Sequence, residues 1–297
     1  MKRLFLLFIF LFFSTLLSAE KAHISIYYDS LYPEFSKNFI DVFKQRFDGI
    51  IESVTPVSDK DVDNPKVHRK SLENVGNISI SIGNSPVLML AKSGKGRFKV
   101  ISLFFNESTK PDVKNIFYIP PFVSAEEKIG VLRNYFTGFK SIVLFSTPSR
   151  KIKKENFSRD VKVMDINDRS EILEIITSSL SFPDPIIFIM PEDSVMDYSP
   201  QVIRKLVRET ISKRVVFAGF NRNFQEYGFL INYDIPLESY TKRLSINIKS
   251  IMQKKEPENS LVPDYFIYLN DILLKESGIN IKARDYKLKI KRTSANE

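Results

Sequence analysis

From Ile24 to Met252 the chain alternates short apolar runs with segments patterned for helix, and this alternation limits the fold more than any other feature. The runs read as strands are His23–Tyr28, Ile51–Val57, Ile78–Ile82, Lys99–Phe105, Ser141–Phe145, Val161–Asp165, Pro185–Met190, Arg214–Phe217 and Phe229–Asn232. Between them lie helical patterns at Phe35–Phe47, Val87–Lys92, Glu126–Phe136, Ser170–Leu180, Pro200–Ser212 and Ser239–Met252. In the first of these, Phe35, Phe39, Val42, Phe43 and Phe47 fall on one helix face. Asp59–Glu73 is charged and carries no clear pattern. Strands separated by helices of this length must pair in parallel, because the chain returns to the same end of the sheet before each new strand. The strands fall into two series on either side of Asn106–Pro121, which predicts an α/β chain of two doubly wound lobes joined by a hinge, with a cleft between them.

Ahead of the first strand, Lys2 and Arg3 precede the apolar run Leu4–Leu17, 14 residues interrupted only by Ser14 and Thr15, and Ser18-Ala19 follows. The run is shorter than the ~20 residues that span a bilayer. Its form is that of a secretory signal peptide. Leu17 is large for the position three before a cut at Ala19, so an uncleaved N-terminal anchor stays open. Either way the body of the chain is expected in an envelope compartment such as the periplasm. Cysteine is absent, which removes disulfides, thiolate metal sites and a cysteine nucleophile, and two histidines leave little for an imidazole cluster.

The net charge of +9 raises the question of nucleic acid. Two of those charges are Lys2 and Arg3. A further +4 lies in residues 282–297, where Lys282, Arg284, Lys287, Lys289, Lys291 and Arg292 face Asp285 and Glu297. The body keeps only +3 and has no basic face with interleaved aromatics, so no nucleic-acid partner is expected. The tail reads as a solvated end or a contact with an anionic surface.

In doubly wound sheets ligands bind beyond the carboxyl ends of the strands. Those ends carry Asp29, Gly83-Asn84-Ser85, Asn106, Ser146-Thr147, Asp193 and Asn221. Gly83-Asn84-Ser85 leads from a strand into a helix, where free backbone N–H groups and a hydroxyl can meet a carboxylate. Ser85 would be the N-cap and Pro86 the first helical residue. Thr147, beside Ser146, can play the same part in the second lobe. Asp29 or Asp193 would take an amino group, and Tyr28, Phe105, Phe220 and Tyr233 could sandwich a planar or apolar ligand. Plainer roles compete: Ser85, Asp29 and Asp193 as helix caps or turn residues, Phe105 as core, Asn221 as loop.

Several segments in order resemble the substrate-binding proteins of ABC transporters, closest to the tryptophan- and tyrosine-type group with the periplasmic-binding protein type I fold. They are ISISIGNSPVLMLAK (Ile78–Lys92), ISLFFNES (Ile101–Ser108), FVSAEEKIGVLRNYFTGFKSIVLFSTPS (Phe122–Ser149), DPIIFIMPEDSVM (Asp184–Met196), the run from Glu226 to Pro263, and YFIYLNDILLKESGINI (Tyr265–Ile281), in which Asn270 starts a short helix and Gly278 ends it. The resemblance covers nearly all of residues 22–281. It implies a signal peptide at 1–19, an N-lobe of 20–107 with 235–255 returning to it, a C-lobe of 108–234 with 256–281, and a basic tail at 282–297. It also implies a monomeric importer component that takes a small, amino-acid-like or carboxylate ligand, needs no cofactor or metal, and delivers its ligand to an ABC permease in the inner membrane. The family's glycine near Glu238-Ser239-Tyr240, and another at Lys254 or Lys255, are missing. A non-transport envelope protein, a sensor or a structural partner with a degenerate cleft, is therefore the alternative. An enzyme is not expected: there is no G-x-S-x-G, H-E-x-x-H or G-x-x-x-x-G-K-[ST], and neither His23 nor His68 has an evident nucleophile beside it.

Overall fold

A computed structural model describes residues 23–31, 33–47, 49–73, 78–94, 99–104, 111–148, 150–181, 184–192, 200–257, 263–282 and 290–293. The expected signal peptide lies outside these residues. The chain divides into two units. The first comprises Met1–Leu103, Pro111–Tyr118 and Leu244–Asn259; the second comprises Phe104–Lys110, Ile119–Arg243 and Ser260–Glu297.

In the first unit, β1 (Ile24–Asp29), β2 (Ile51–Val57), β3 (Ile78–Ile82), β4 (Lys99–Leu103) and β5 (Ile116–Ile119) form one sheet in the order β2-β1-β3-β4-β5. β1 pairs in parallel with both β2 and β3, and β3 with β4. The helices between are α1 (Pro33–Arg46), α2 (Pro65–Glu73) and α3 (Asn84–Gly94). The chain steps from β1 outward to β2, then back across β1 to β3. The reversal leaves a topological switch point between the carboxyl ends of β1 and β3.

Side chains alternate across the pleat, and the β1, β3 and β4 sequences sort sharply. Ile24 and Ile26, Ile78, Ile80 and Ile82, and Ile101 and Leu103 share one face. Ser25, Ser79, Ser81 and Ser102 share the other, fully buried. Register sets Ser25 beside Ser79 and Ser81 beside Ser102. The hydroxyls of Ser79, Ser81 and Ser102 have no hydrogen-bond partner among the described residues.

The second unit repeats the winding. Its helices are α4 (Ala125–Tyr135), α5 (Arg169–Ser179), α6 (Pro200–Ile211), part of α7 (Leu237–Met252), and α8 (Asp271–Ser277). A two-residue strand β6 (Phe136–Thr137) precedes β7 (Ser141–Ser146), β8 (Val161–Asp165), β9 (Ile186–Ile189), β10 (Val215–Gly219), β11 (Ile231–Asp234) and β12 (Phe266–Asn270); β13 (Asn280–Ile281) and β14 (Ile290–Thr293) follow. The sheet order is β14-β12-β11-β10-β9-β7-β8, parallel except between β11 and β12, and the switch point falls between β7 and β9. β6 and β13 make a separate antiparallel pair.

Alternate residues of these strands again supply two cores. Ile142, Leu144, Ile187, Ile189, Val216 and Ile231 pack with Ile129 and Leu132 of α4. Phe145, Phe188 and Phe217 pack with Ile172 and Ile176 of α5 and Ile203 and Val207 of α6. The rings of Phe145, Phe188, Phe217 and Phe229 follow one another at 5.7, 6.1 and 5.4 Å between centroids. Helices on opposite faces of one sheet are what the alternation predicted.

Differences from the sequence reading have local causes. Asp59–Glu73 is structured: a 3-10 turn spans Asp59–Asp61, where the Asp61 carboxylate accepts both the N–H and the hydroxyl of Ser58, and α2 follows. Asn64 Oδ1 accepts the Lys66 N–H at the start of α2, ahead of Pro65, so the helix is defined by its start signal and not by an apolar stripe. Asp168, not Ser170, opens α5, accepting the N–H groups of Ser170 and Glu171. The Pro111–Pro121 stretch contains β5, and the strand expected at Phe229–Asn232 is shifted to Ile231–Asp234 by a 3-10 turn over Arg222–Tyr227 that ends at Gly228, φ +93°. The short helix α8 starts at Asn270, whose side chain accepts the Leu273 N–H, and ends at left-handed Gly278, as expected. The tail is not only a solvated end: Ile290–Thr293 pairs in parallel with β12.

Candidate functional site

Each switch point gathers charged or hydroxyl groups, of different kinds. In the first unit Asp29 closes β1 and Gly83 follows β3. Asp29 is 3% exposed. Its Oδ1 accepts the Leu31 N–H at 3.0 Å. Its Oδ2 accepts both the N–H (3.4 Å) and the hydroxyl (3.1 Å) of Ser85 in the first turn of α3. The same hydroxyl lies 2.5 Å from Asp59 Oδ1. A hydroxyl has one proton to donate, so Asp29 and Asp59 share it. Gly83 is required here. Its φ is +97°, and a Cβ would stand 2.7 Å from the Asp29 Cβ.

α3 begins at Asn84, two residues earlier than expected, so Ser85 lies inside the helix and its hydroxyl is drawn to the two carboxylates instead of capping. Asn84 is half-buried beside it. The helix N-terminus thus already holds a carboxylate, that of Asp29, in the position where an anionic ligand group would bind.

In the second unit the switch point holds a buried ion cluster. Glu192, just past β9, is paired with Lys128 from the first turn of α4 and with Arg150 from the turn after β7. The side chains of Lys128, Glu192 and Arg150 are 1%, 7% and 22% exposed. Burial, reinforced by the Arg150 charge, holds Lys128 well below the ordinary lysine value.

Tyr233 backs the cluster. Its ring lies 5.7 Å from the Lys128 Nζ and its hydroxyl donates to the Lys128 carbonyl at 3.0 Å. Its side chain is 1% exposed within the core of the unit, and burial pushes its phenol well above the usual range. Thr147 fixes the turn that carries Arg150. The two residues exchange backbone hydrogen bonds, and the Thr147 Oγ1 accepts the Arg150 N–H at 3.0 Å.

Asn221, at the end of β10, accepts the Asn223 N–H at 3.0 Å and so caps the 3-10 turn that follows. Beside it Phe220 meets Phe122 at 5.5 Å and Phe224 at 4.7 Å between ring centroids, forming an aromatic group at the same strand ends. Asn106 and Asp193 lie outside the described residues, as does Phe105. The structure therefore joins Asp29, Gly83, Asn84 and Ser85 at one switch point and sets Thr147 and Tyr233 around the other.

Four participants escaped the sequence reading: Asp59, Lys128, Arg150 and Glu192. Lys128 follows Glu126-Glu127 in the first turn of an amphipathic helix, where a charged residue reads as solvated surface; nothing in its local sequence marks it as buried. Glu192 lies three residues past β9, next to the candidate Asp193, and Arg150 four residues past β7, in the turn that Thr147 opens; chain order alone does not show which side chains of these turns face inward. Among the described residues no group of three or more His, Asp or Glu side chains is placed to hold a metal ion, and no helix is long and apolar enough to cross a membrane.

No family model matches the chain, and no curated protein matches it. Solved structures do. A substrate binding protein with adhesive properties from Clostridium difficile, in its ligand-free, open form, aligns with TM-score 0.63 at 14% identity over 92% of this chain and 100% of its own. A periplasmic ribose ABC transporter protein from Conexibacter woesei aligns with TM-score 0.54 at 10% identity over 87% and 95%. An ABC domain in complex with L-Trp from Streptococcus pneumonia aligns with TM-score 0.52 at 16% identity over 88% and 96%. Identities this low carry the fold alone. With two switch-point α/β sheets in one chain and these neighbours along nearly its whole length, the protein has the type I periplasmic-binding-protein fold.

Proposed function

We propose that this chain is an extracytoplasmic solute-binding protein that takes a small molecule at its strand ends and delivers it to an ABC permease. The observation that carries the reading is the placement of a polar cluster at the switch point of each unit, where this fold class binds ligands. The neighbouring structures named above are described as substrate-binding or ABC-transporter proteins, which favours binding over catalysis. The apolar run Leu4–Leu17 supports export. An amino-acid-like or other small carboxylate ligand suits the cations gathered at the second unit's switch point, and the protein is expected to act as a monomer without a cofactor.

Thermal melting against a library of amino acids, small carboxylates and sugars tests this. A ligand at saturating concentration should raise the melting temperature by about 5 °C, and the loaded protein should associate with its permease in membranes.

One observation favours a second reading, an envelope sensor or structural partner with a degenerate site. Asp29 already occupies the α3 N-terminus, so the first unit's switch point is internally satisfied. Absence of any ligand shift across the library would favour this reading.

A further inference from the structure

The second unit's ion cluster reaches from the core to the surface at the switch point. It brings two cations, Lys128 and Arg150, to the Glu192 carboxylate, and it grades from a fully buried Lys128 to a partly exposed Arg150. Charge in such a place is costly to desolvate, and like-charge neighbours add to that cost. An anion arriving at Arg150 relieves it. The guanidinium is suited to this, because its five N–H donors form a planar fork that can serve more than one carboxylate at a time. Its position is also constrained. Glu192 holds Nη1, and the turn is closed by Thr147 through two backbone bonds and the Oγ1. The cluster spans the carboxyl ends of β7 and β9, the switch point of the sheet.

We propose that Arg150, positioned by Glu192 and Thr147 and backed by Lys128, is the residue through which the second unit binds the carboxylate of its ligand. This rests on the solute-binding reading and sharpens it. The site selects for an anionic group, and Lys128 and Glu192 act through Arg150 as positioning residues, not as ligand contacts.

Sodium acetate is the probe, titrated to about 100 mM with sodium chloride balancing the ionic strength, and the readout is the melting temperature of the purified protein. Acetate should give a saturable rise of about 3 °C over chloride. R150Q should abolish the rise, and R150K, which keeps the charge but not the fork, should retain a weakened one. E192Q should strengthen the response several-fold, since the isosteric amide oxygen can still accept from the guanidinium and hold it in place while the negative charge that competes for both cations is gone. That opposite sign is not expected of a residue that merely holds the fold together, and it keeps the test decisive even where R150Q does not fold. An acetate response equal in wild type and R150Q, no acetate-specific response in wild type, or an E192Q protein no more responsive than wild type would each overturn the proposal. A neutral sugar that stabilises wild type and R150Q alike would remove the carboxylate site while leaving the solute-binding reading standing. If neither acetate nor any library member stabilises the protein, both fall.

Discussion

The two units share a winding order around β1 and β7 but fill their sheets and switch points with opposite chemistry. In the first, the pleat face that leads to Asp29 carries Ser25, Ser79, Ser81 and Ser102, and the switch point is a hydroxyl shared by two carboxylates. In the second, the face that leads to Thr147 carries the ring series Phe145, Phe188 and Phe217, and the switch point is an ion cluster. Strand order does not dictate either filling. It dictates only where polar groups from non-adjacent parts of the chain are brought together. A serine row buries little apolar area and leaves hydroxyls to satisfy, whereas each buried phenylalanine removes a large apolar surface from water. The second unit is thus expected to hold the greater share of hydrophobic stabilisation, and its ion cluster sits on that better-packed base.

Substitutions can break this contrast, and the largest effect is expected in the ring series. F188A removes the central ring, fully buried between Phe145 and Phe217, and should destabilise the second unit by about 4 kcal/mol in urea unfolding, by lost transfer energy plus the cavity left behind. E192Q should come next, at about 3 kcal/mol, because it leaves Lys128 and Arg150 buried without their carboxylate. A loss below about 1 kcal/mol would show that the cluster is not desolvated as described.

At the other switch point G83A forces a Cβ against Asp29 at a positive φ. It should cost about 2 kcal/mol and lower the melting temperature without touching the second unit's response to acetate. The pH dependence is subtler. Lys128 is held below its ordinary value when folded, so between that lowered value and about 10.4 the unfolded chain binds more protons than the folded one. Stability should therefore rise with pH across that window and flatten below it, and K128M should remove the slope in unfolding measured at successive pH values.

The smallest effect is expected at Ser81. Its hydroxyl has no partner among the described residues, so S81A should change stability by less than about 0.5 kcal/mol or raise it slightly. A loss above about 1 kcal/mol would mean that the serine row is hydrogen-bonded in solution.

Much of this architecture was legible in the pattern of residues. ISISI announces a strand with unlike faces, and Asn270 with Gly278 brackets a helix, because period-two alternation and terminal capping are local physics that need no tertiary partner. The strand ends also pointed to Asp29, Gly83, Ser85 and Thr147 as residues near a switch point. Their partners were not legible. Ser85 read as a helix cap because a serine before a proline ordinarily is one, until Asp29, 56 residues away, claimed its hydroxyl. Tyr233 read as a ring for a ligand, whereas its ring and hydroxyl both attend Lys128. α2 escaped because its signal is a start residue and not an apolar face.

By itself, then, the order of residues determined two series of parallel strands, the helices between them and which strand ends carry polar groups, since each of these follows from backbone periodicity and local hydrogen bonding. Only the tertiary structure decided that Asp29 fills the helix terminus of its own unit, and that Lys128, Arg150 and Glu192, scattered over 64 positions, form one cluster. Charge pairing acts through space and is set by which strands become neighbours. A lysine at the start of an amphipathic helix looks the same in sequence whether it meets water or a buried carboxylate.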